Sequence, residues 1–440
     1  MKKLSSSAFR SKNLFNPVLI LSLLFIIIIG IVVLYSTLIL PTGGLGDKSI
    51  FIKQLLFLAI GLIIFFAISH IDLSYLKHWQ LTVLLYIATI LLLIVTLFST
   101  PIKNVRRWIV IGGVQIQPSE IAKLTVIIIT ATIFSMKERY NEWVLFSLSF
   151  LFLIPILVLI YIQPSGSMTL LTLGIWFILA FLGLNNPLRN SVLLTIIICT
   201  VGAFLLSSVT ANNLWYLLLV PALVVSIFGY YVKSNWKIYV ILSAILALIL
   251  GLFTTVTWHK VLKPYQKERI IAFVNPAETD PDKVFNVNQS KIAIGSGKIL
   301  GKGFGNGTQS KRNFLPEFRT DFIFASYSEE FGLVGALFLM MLYAVIIVFC
   351  FITSINNSGN PMFSLISIGV GIKLLLEIFI NIGTNTGGIP ATGIPLPLMS
   401  AGGTITVITL VSLGLVHNIS LKTSEKVRTE KTNIIDIYED

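Results

Sequence analysis

The stretch "PVLILSLLFIIIIGIVVLYSTLIL", residues 17–40, carries no charged side chain. A helix crosses the hydrocarbon core of a bilayer with about 20 mostly apolar residues, so this run predicts a transmembrane helix. Four cations precede it: Lys2, Lys3, Arg10 and Lys12. A basic start before an apolar run is also typical of a secretory signal peptide, but this run is too long for one and has no clear small-residue cleavage site. We interpret it as a retained first span.

The low charge of the whole chain extends this interpretation beyond the first span. Of the 440 residues, 55% are hydrophobic and 12% are charged, whereas about 25% of a soluble domain is charged. Backbone polar groups in lipid must be satisfied within their own segment, so each long apolar run predicts a helix. The predicted fold class is an all-α, polytopic integral membrane protein with about twelve transmembrane helices, built as a single membrane domain over residues 1–440. The predicted spans are 17–40, 51–69, 79–99, 118–136, 144–162, 168–185, 190–208, 213–231, 237–257, 322–352, 362–380 and 403–419.

An even number of spans places both termini on the same side of the membrane. Lys and Arg favour the cytoplasmic side. The N-terminus is basic, and the tail over residues 421–440 contains Lys422, Lys426, Arg428 and Lys431. We therefore expect a multi-pass protein of the cytoplasmic membrane, surrounded by membrane lipids, with both termini in the cytoplasm. The longest connection, residues 258–321, is then a large extracytoplasmic loop. Cys199 and Cys350 lie within apolar runs, so they are interpreted as packing residues that do not report on a redox compartment.

Two outer segments carry cations, and the net charge of the chain is +13. The connection over residues 100–120 contains Arg106 and Arg107, and the loop over residues 258–321 has eleven Lys and Arg against six Asp and Glu. Long loops carry charge outward without upsetting the topology, so one interpretation is plain solvation. The other is an extracytoplasmic site for an anionic head group such as a diphosphate, whose charge fixed cations would stabilise.

Charged residues at membrane depth are costly unless they are paired or used. Glu120 and Lys123 open the fourth span three residues apart, so they share a helix face. They either form a self-contained ion pair or make a polar wall beneath a substrate site. Lys373 and Glu377 repeat the pattern four residues apart in the eleventh span, where we favour a structural pair.

Two glycine-rich stretches remain. "GSGKILGKGFGNGTQS", residues 295–310, does not fit the phosphate-loop template, because its glycine spacing is one residue short and Gly303 stands where Ser or Thr is required. It predicts backbone turns. "NIGTNTGGIPATGIPLPLMSAGGT", residues 381–404, is uncharged and rich in Gly and Pro. It predicts irregular backbone, which membrane depth tolerates where the backbone is buried or lines a cavity.

Five motifs carry a resemblance to a known family. "RRWIVIGGVQIQPSEIAKL", "YQKERI", "NQSKIAIGSGKILGKGFGNGTQS", "FLPEFRTDFIFASYSEEFGLVG" and "GIPLPLMSAGG" occur in this order. Together they resemble the SEDS family (shape, elongation, division and sporulation), which contains the RodA, FtsW and SpoVE groups, and most of all the RodA group. The resemblance spans nearly the whole chain. It implies a peptidoglycan glycosyltransferase of elongation, division or sporulation that uses lipid II, paired with a class B penicillin-binding protein, and no nucleic acid.

The resemblance also assigns roles to residues. The essential acid of the family is the Asp of its "TDF" motif, which is Asp321 here. We expect it to act as the general base that takes the proton of a sugar hydroxyl while undecaprenyl diphosphate leaves. No metal-ligand cluster is visible in the sequence, so a divalent cation, Mg²⁺ or Mn²⁺, is expected from the resemblance alone. The candidate substrate-binding residues are Arg106, Arg107, Glu120, Lys123, Lys267, Arg269, Arg319 and Ser400.

Three departures from the family pattern and three alternatives accompany this interpretation. Ser165 follows Gln163-Pro164 where the family has Asp, Ala401 replaces an aromatic residue, and the family has ten spans, which predicts an extra hairpin within residues 190–257. The alternative functions are a lipid II flippase and a non-catalytic scaffold for the penicillin-binding protein. The alternative role for Asp321 is to cap the helix that begins near Phe322, since Asp is a favoured N-cap residue.

Overall fold

The fold is an all-helical bundle with one small β-hairpin, as seen in a computed structural model that describes residues 16–40, 44–102, 105–186, 190, 264–276, 279, 281–311, 315 and 317–439. Long apolar helices dominate these ranges, so the predicted fold class is confirmed. The helices are α1 Pro17–Ser36, α2 Ser49–His70, α3 Trp79–Leu97, α4 Pro118–Phe134, α5 Glu142–Ile162, α6 Gly166–Gly183, α7 Pro264–Val274, α8 Pro281–Ser296, α9 Thr308–Lys311, α10 Ile323–Asn356, α11 Pro361–Thr386 and α12 Gly403–Glu439, with a short 3₁₀ helix at Leu73–Lys77.

Nine of the twelve predicted spans coincide with helices in the described residues. Eight of these helices are long and apolar enough to cross a membrane. The ninth, α4, is shorter, with 17 residues. The predicted spans 190–208, 213–231 and 237–257, and with them the extra hairpin and Cys199, lie outside the described residues. The total of twelve spans therefore stays a prediction.

Helix α4 lies at the centre of the core. Every residue of α4 except Ile121 is buried, because α3, α5, α6 and α11 pack around it. Elsewhere in the bundle, α2 packs against α12, and α10 packs against both α1 and α11. Cys350 on α10 is fully buried among these helices, which confirms its interpretation as a packing residue.

The predicted span 322–352 is wrong in one respect: it is not a continuous helix. Helix α10 breaks at Gly332, where φ is 66° and ψ is −164°, a conformation that in practice only glycine adopts. The glycine-rich loop inserts into the break, because Leu333 N donates to Lys298 O at 2.9 Å and Lys302 N donates to Glu329 O at 3.0 Å. Residues 323–331 therefore form a separate short helix inside the protein.

The connections contain more regular structure than the sequence analysis predicted. The loop over residues 258–321 includes α7, α8 and α9, and its glycine turns are confirmed by positive φ angles at Gly301, Gly303 and Gly305. Helix α11 continues to Thr386, so the irregular stretch expected from residue 381 begins only at Gly387. Helix α12 continues through the predicted tail to Glu439.

A β-hairpin between α3 and α4 is an element that the sequence analysis did not predict. Strand β1, Ile109–Ile111, pairs antiparallel with β2, Val114–Ile116. The two residues between the strands, Gly112 and Gly113, have φ angles of 58° and 79°, the geometry of a tight two-residue hairpin turn. The hairpin begins two residues after Arg107, so Arg106 and Arg107 lie close to its start in the chain.

Candidate functional site

The backbone of Arg319-Thr320-Asp321 is held at three consecutive carbonyl groups. Ala401 N donates to Arg319 O at 2.8 Å, and Ser400 Oγ donates to Thr320 O at 2.6 Å. The third carbonyl, that of Asp321, accepts from α11. Because fixed donors hold all three peptide groups, the segment before α10 has a defined conformation although it is not helical.

Two asparagines of α11 hold the Asp321 carbonyl. Asn381 Nδ2 donates to Asp321 O at 2.8 Å, and Asn385 Nδ2 donates to the same oxygen at 2.9 Å. The sequence analysis did not identify either residue. Their signal was available, since they continue the four-residue spacing of Lys373 and Glu377, but the stretch from Asn381 onward was interpreted as irregular.

The N-cap residue of α10 is Phe322, whose side chain makes no cap hydrogen bond, and the capping role of the neighbouring Asp321 stays an alternative. Asp321 is half-buried, and a Cβ atom at Gly393 would lie 3.4 Å from its Oδ2. Gly393 is exposed. The carboxylate is therefore partly exposed and lies beside a residue without a side chain, so another group has room to approach it.

Arg319 contacts the connection between α1 and α2. Its Nη2 donates to Thr37 O at 3.0 Å, and its guanidinium carbon lies 5.0 Å from the centre of the Phe318 ring. Burial lowers the pKa of Arg319, while the charge of Asp47 opposes that change. A contact between Arg319 and substrate stays a prediction.

The two outer arginines differ in their surroundings. Arg106 is exposed, and its Nη1 donates to Leu97 O at 3.0 Å. Arg107 is half-buried, and its Nη2 donates to Pro164 O in the turn between α5 and α6. Arg107 is thus fixed against the same turn that contains Ser165, the departure from the family pattern.

Helix α7, in the loop over residues 258–321, reaches the same turn. A Cβ atom at Gly166 would lie 2.7 Å from Gln266 Nε2, so α7 packs directly on the start of α6. Lys267 and Arg269 follow Gln266 on α7, the first half-buried and the second exposed. The structure therefore brings Arg107 and the α7 cations to one region, as the diphosphate hypothesis requires.

The segment Ser400–Thr404 links this region to Asp321. Ser400 and Ala401 bind the carbonyls before Asp321, Gly402 N donates to Gln54 Oε1 on α2 at 3.1 Å, and Thr404 Oγ1 accepts from Gln117 N at 3.0 Å. Ala401 acts through its backbone, so the missing aromatic side chain leaves this contact intact. The Ser400 hydroxyl also accepts from Leu396 N at 2.8 Å, and its contact with substrate stays a prediction.

The intramembrane charges form one network. Lys123 Nζ lies 2.8 Å from Glu120 Oε1 and 2.6 Å from Glu377 Oε1, and Lys373 Nζ lies 3.0 Å from Glu377 Oε2. All four side chains are at most 1% exposed. Both predicted ion pairs are confirmed, and the structure joins them across α4 and α11. Substrate contacts of Glu120 and Lys123 stay predictions.

Glu329 is a further buried acidic residue, to which the sequence analysis assigned no role. Its Oε1 accepts from Lys302 Nζ at 2.6 Å, from Thr308 N at 2.8 Å and from Thr308 Oγ1 at 2.8 Å. Gln309 N adds a contact at 3.2 Å to each carboxylate oxygen. The Glu329 carboxylate therefore binds the glycine-rich loop and the start of α9 to the short helix of residues 323–331, before the break in α10.

In the part of the chain that the structure describes, protein side chains alone do not form a binding site for a divalent cation. No group of three His, Cys, Asp or Glu side chains there has the geometry to hold a metal ion. The Mg²⁺ or Mn²⁺ expected from the resemblance stays a prediction.

The fold and site define a class of polytopic membrane protein with a half-buried carboxylate and fixed cations at one end of the helical bundle. The family described as "Cell cycle protein", which groups FtsW, RodA and SpoVE, matches residues 16–213 and 217–425 of this chain. The chain belongs to this family, and the resemblance stated from the motifs is confirmed.

Relatives and solved structures cover nearly the whole chain. The peptidoglycan glycosyltransferase RodA of Treponema pallidum (strain Nichols) is 30% identical over 435 residues, which cover 93% of this chain and 98% of the relative. A structure of a peptidoglycan synthase complex that coordinates polymerization and crosslinking has a TM-score of 0.65 and 23% identity, covering 93% of this chain and 98% of that one. The rod shape determining protein RodA of Thermus thermophilus has a TM-score of 0.57 and 22% identity, covering 92% and 96%. At these identities, the two structures support the fold.

Proposed function

We propose that this protein is a peptidoglycan glycosyltransferase that joins lipid II into glycan strands at the outer face of the cytoplasmic membrane. The observation that carries the proposal is the Asp321 carboxylate, which is half-buried beside Gly393 on a backbone held at three successive carbonyls. Family membership and the activity named for the Treponema pallidum relative support the reaction class.

Asp321 is the general base in this mechanism. It takes the proton of a sugar hydroxyl of lipid II as that oxygen forms the glycosidic bond with the anomeric carbon of the growing chain. The bond between this carbon and the diphosphate breaks, and undecaprenyl diphosphate leaves with the bonding electrons. A half-buried carboxylate suits this role, because it is reachable from outside and incompletely solvated.

Fixed cations stabilise the negative charge of the departing diphosphate. Arg107 and the α7 residues Lys267 and Arg269 are the candidates, supported by their approach to the turn between α5 and α6. Arg106 is a more exposed candidate. A lipid substrate also gives a reason for an embedded catalyst, since the sugar is outside while the polyprenyl tail stays in the bilayer.

The partner that we propose is a class B penicillin-binding protein, which crosslinks the polymer. One solved structure similar in fold comes from a complex that coordinates polymerization and crosslinking, and this supports the pairing. Co-purification from cell membranes tests it: one class B enzyme of the same cell is expected to remain bound in mild detergent. The role belongs to elongation, division or sporulation, and both termini lie in the cytoplasm.

The experiment for the reaction uses purified protein and labelled lipid II in detergent. Wild-type protein is expected to form glycan polymer, and Asp321→Asn is expected to lower the rate by about 10²-fold or more. Asp72→Asn is the matched control, since Asp72 is exposed and pairs with Lys422 of α12, in the connection between α2 and α3. Translocation of lipid II in vesicles without polymer would support a flippase, and neither activity would support a scaffold. Titration with EDTA in the same assay tests the divalent cation.

A further inference from the structure

Helix α11 carries a polar stripe along one face. Lys373, Glu377, Asn381 and Asn385 follow one another at intervals of four residues, and each is at most 1% exposed. Residues four apart lie one above the other on a helix, so the stripe is continuous. Burying a polar group costs free energy unless the group is hydrogen-bonded. Each of these four side chains has an ion-pair or hydrogen-bond partner. Lys373 and Glu377, the charged half of the stripe, belong to the ion-pair network. Asn381 and Asn385, the amide half, contact the backbone of Asp321.

Both asparagines of the stripe donate to one shared atom, and Asn381 Nδ2 also donates to Ile394 O at 2.8 Å. Asn381 Nδ2 and Asn385 Nδ2 lie 2.8 and 2.9 Å from Asp321 O. A carbonyl oxygen has two lone pairs, so these two donors use its full capacity. Donors fixed on a helix hold the peptide plane after Asp321, and this plane determines the direction in which the Asp321 side chain leaves the backbone.

Asn385 also holds the first turn of α10. Its Oδ1 accepts from Ala325 N at 3.1 Å, which provides a side-chain acceptor at a helix end whose own N-cap residue, Phe322, provides none. The first N–H groups of a helix have no partner within the helix. Asn385 therefore fixes the backbone on both sides of Phe322, and Ser290 on α8 fixes Asn385 in turn by donating to its backbone carbonyl at 2.8 Å.

We propose that Asn381 and Asn385 are positioning residues for glycosyl transfer, which act by fixing the backbone from which the Asp321 carboxylate projects. The proposal rests on the proposed function, in which Asp321 is the general base. A base must lie within hydrogen-bond reach of the hydroxyl, and a displacement of about 1 Å costs about 10²-fold in rate. Loss of either asparagine leaves one donor on the Asp321 carbonyl, so single variants retain the fold.

The test compares Asn381→Leu and Asn385→Leu with Thr386→Ala in the full-length protein, assayed for lipid II polymerisation. Leu has nearly the shape of Asn without its donor. Thr386 is exposed at the same end of α11 and donates only within its own helix, to Ile382 O and Gly383 O. Each Leu variant is expected to lower kcat by up to about 10²-fold with KM changed by less than about twofold, and Thr386→Ala is expected to match wild type.

The decisive comparison repeats the two Leu substitutions in the Asp321→Asn background. The Asp321→Asn protein has already lost the carboxylate that these asparagines position. In this background the Leu substitutions are therefore expected to leave the residual rate unchanged. Equal factors of loss in both backgrounds would overturn the proposal, as would normal kcat in both single variants. Asn381→Ser, which is too short to reach Asp321 O, replaces Asn381→Leu if thermal unfolding shows that the Leu variant is misfolded. Wild-type polymerisation by Asp321→Asn alone would instead overturn the general-base mechanism itself.

Discussion

The ammonium of Lys123 on α4 lies 2.6 Å from the carboxylate of Glu377 on α11, and both side chains are fully buried. Burying charges costs several kcal/mol per ion unless each has a well-placed partner. Signs alternate along Glu120, Lys123, Glu377 and Lys373, and their formal charges sum to zero. The network therefore ties the most enclosed helix of the bundle to the helix that holds the Asp321 backbone.

Lys123→Met is expected to destabilise the protein strongly. The substitution keeps an unbranched side chain but leaves Glu120 without the cation that it contacts and Glu377 with Lys373 alone. Removing one partner of a buried ion pair costs about 3–5 kcal/mol. A large fall in the midpoint of thermal unfolding in detergent is the expected measurement.

The exposed pair Lys422 and Asp72 provides the control, with atoms 2.5 Å apart and side chains 41% and 58% exposed. Lys422→Met is expected to change the midpoint little, because exposed pairs contribute about 0–1 kcal/mol. Adding Glu120→Gln to Lys123→Met is expected to recover part of the loss, since Gln needs no cation. Unaltered unfolding of Lys123→Met would show that the network does not stabilise the fold.

The two outer arginines are expected to differ in importance. Arg107 is half-buried and donates to Pro164 O, whereas Arg106 is exposed. A hydrogen bond to a charged group contributes about 1.5–3 kcal/mol, so Arg107→Ala is expected to lower kcat/KM for lipid II by about tenfold or more. Arg106→Ala is expected to have a smaller effect, because solvent screens its charge. Equal losses in the two variants would contradict this ranking.

The sequence predicts those features that depend on neighbouring residues. Nine spans, the pairs Glu120–Lys123 and Lys373–Glu377, and the glycine turns follow from local periodicity and spacing. The hairpin at Ile109–Ile116 also had a local signal, since two β-branched stretches flank Gly112-Gly113. It was not predicted, because each strand has three residues and is shorter than the runs of about four to eight residues that indicate a strand.

Features that join distant parts of the chain could not be predicted in this way. Asn385 and Asp321 are 64 residues apart, and no local pattern indicates which carbonyl a buried amide will bind. The break in α10 likewise depends on the loop that inserts beside Gly332. A lone glycine within a helical run is usually tolerated, so the run from Phe322 onward predicted a continuous span.

The topology has a direct test at two exposed positions. Leu300 in the glycine-rich loop is 79% exposed, and Tyr140 between α4 and α5 is 56% exposed. Single cysteines are introduced at these positions in a background without Cys199 and Cys350. An impermeant thiol reagent is expected to label Leu300→Cys from the outer face of the cytoplasmic membrane, and Tyr140→Cys only after permeabilisation. The reverse pattern would place the proposed site in the cytoplasm.

Glu329 is expected to control the order of the glycine-rich loop. Its carboxylate accepts from Lys302, Thr308 and Gln309, and an amide in its place would direct N–H groups at some of these donors. Glu329→Gln is therefore expected to speed amide hydrogen exchange across residues 298–309, because the loop opens more often. Glu138→Gln, at an exposed position beyond α4, is the control and is expected to leave exchange in the loop unchanged.

The partner of this carboxylate allows a sharper version of the same test. Lys302→Met removes the cation that lies 2.6 Å from Glu329, so it is expected to speed exchange over the same residues. Residues that act as one unit have non-additive effects, and the double variant is expected to exchange little faster than the more affected single variant. Additive effects, or faster exchange confined to α10 with the loop still protected, would show that Glu329 stabilises its own helix and does not hold the loop.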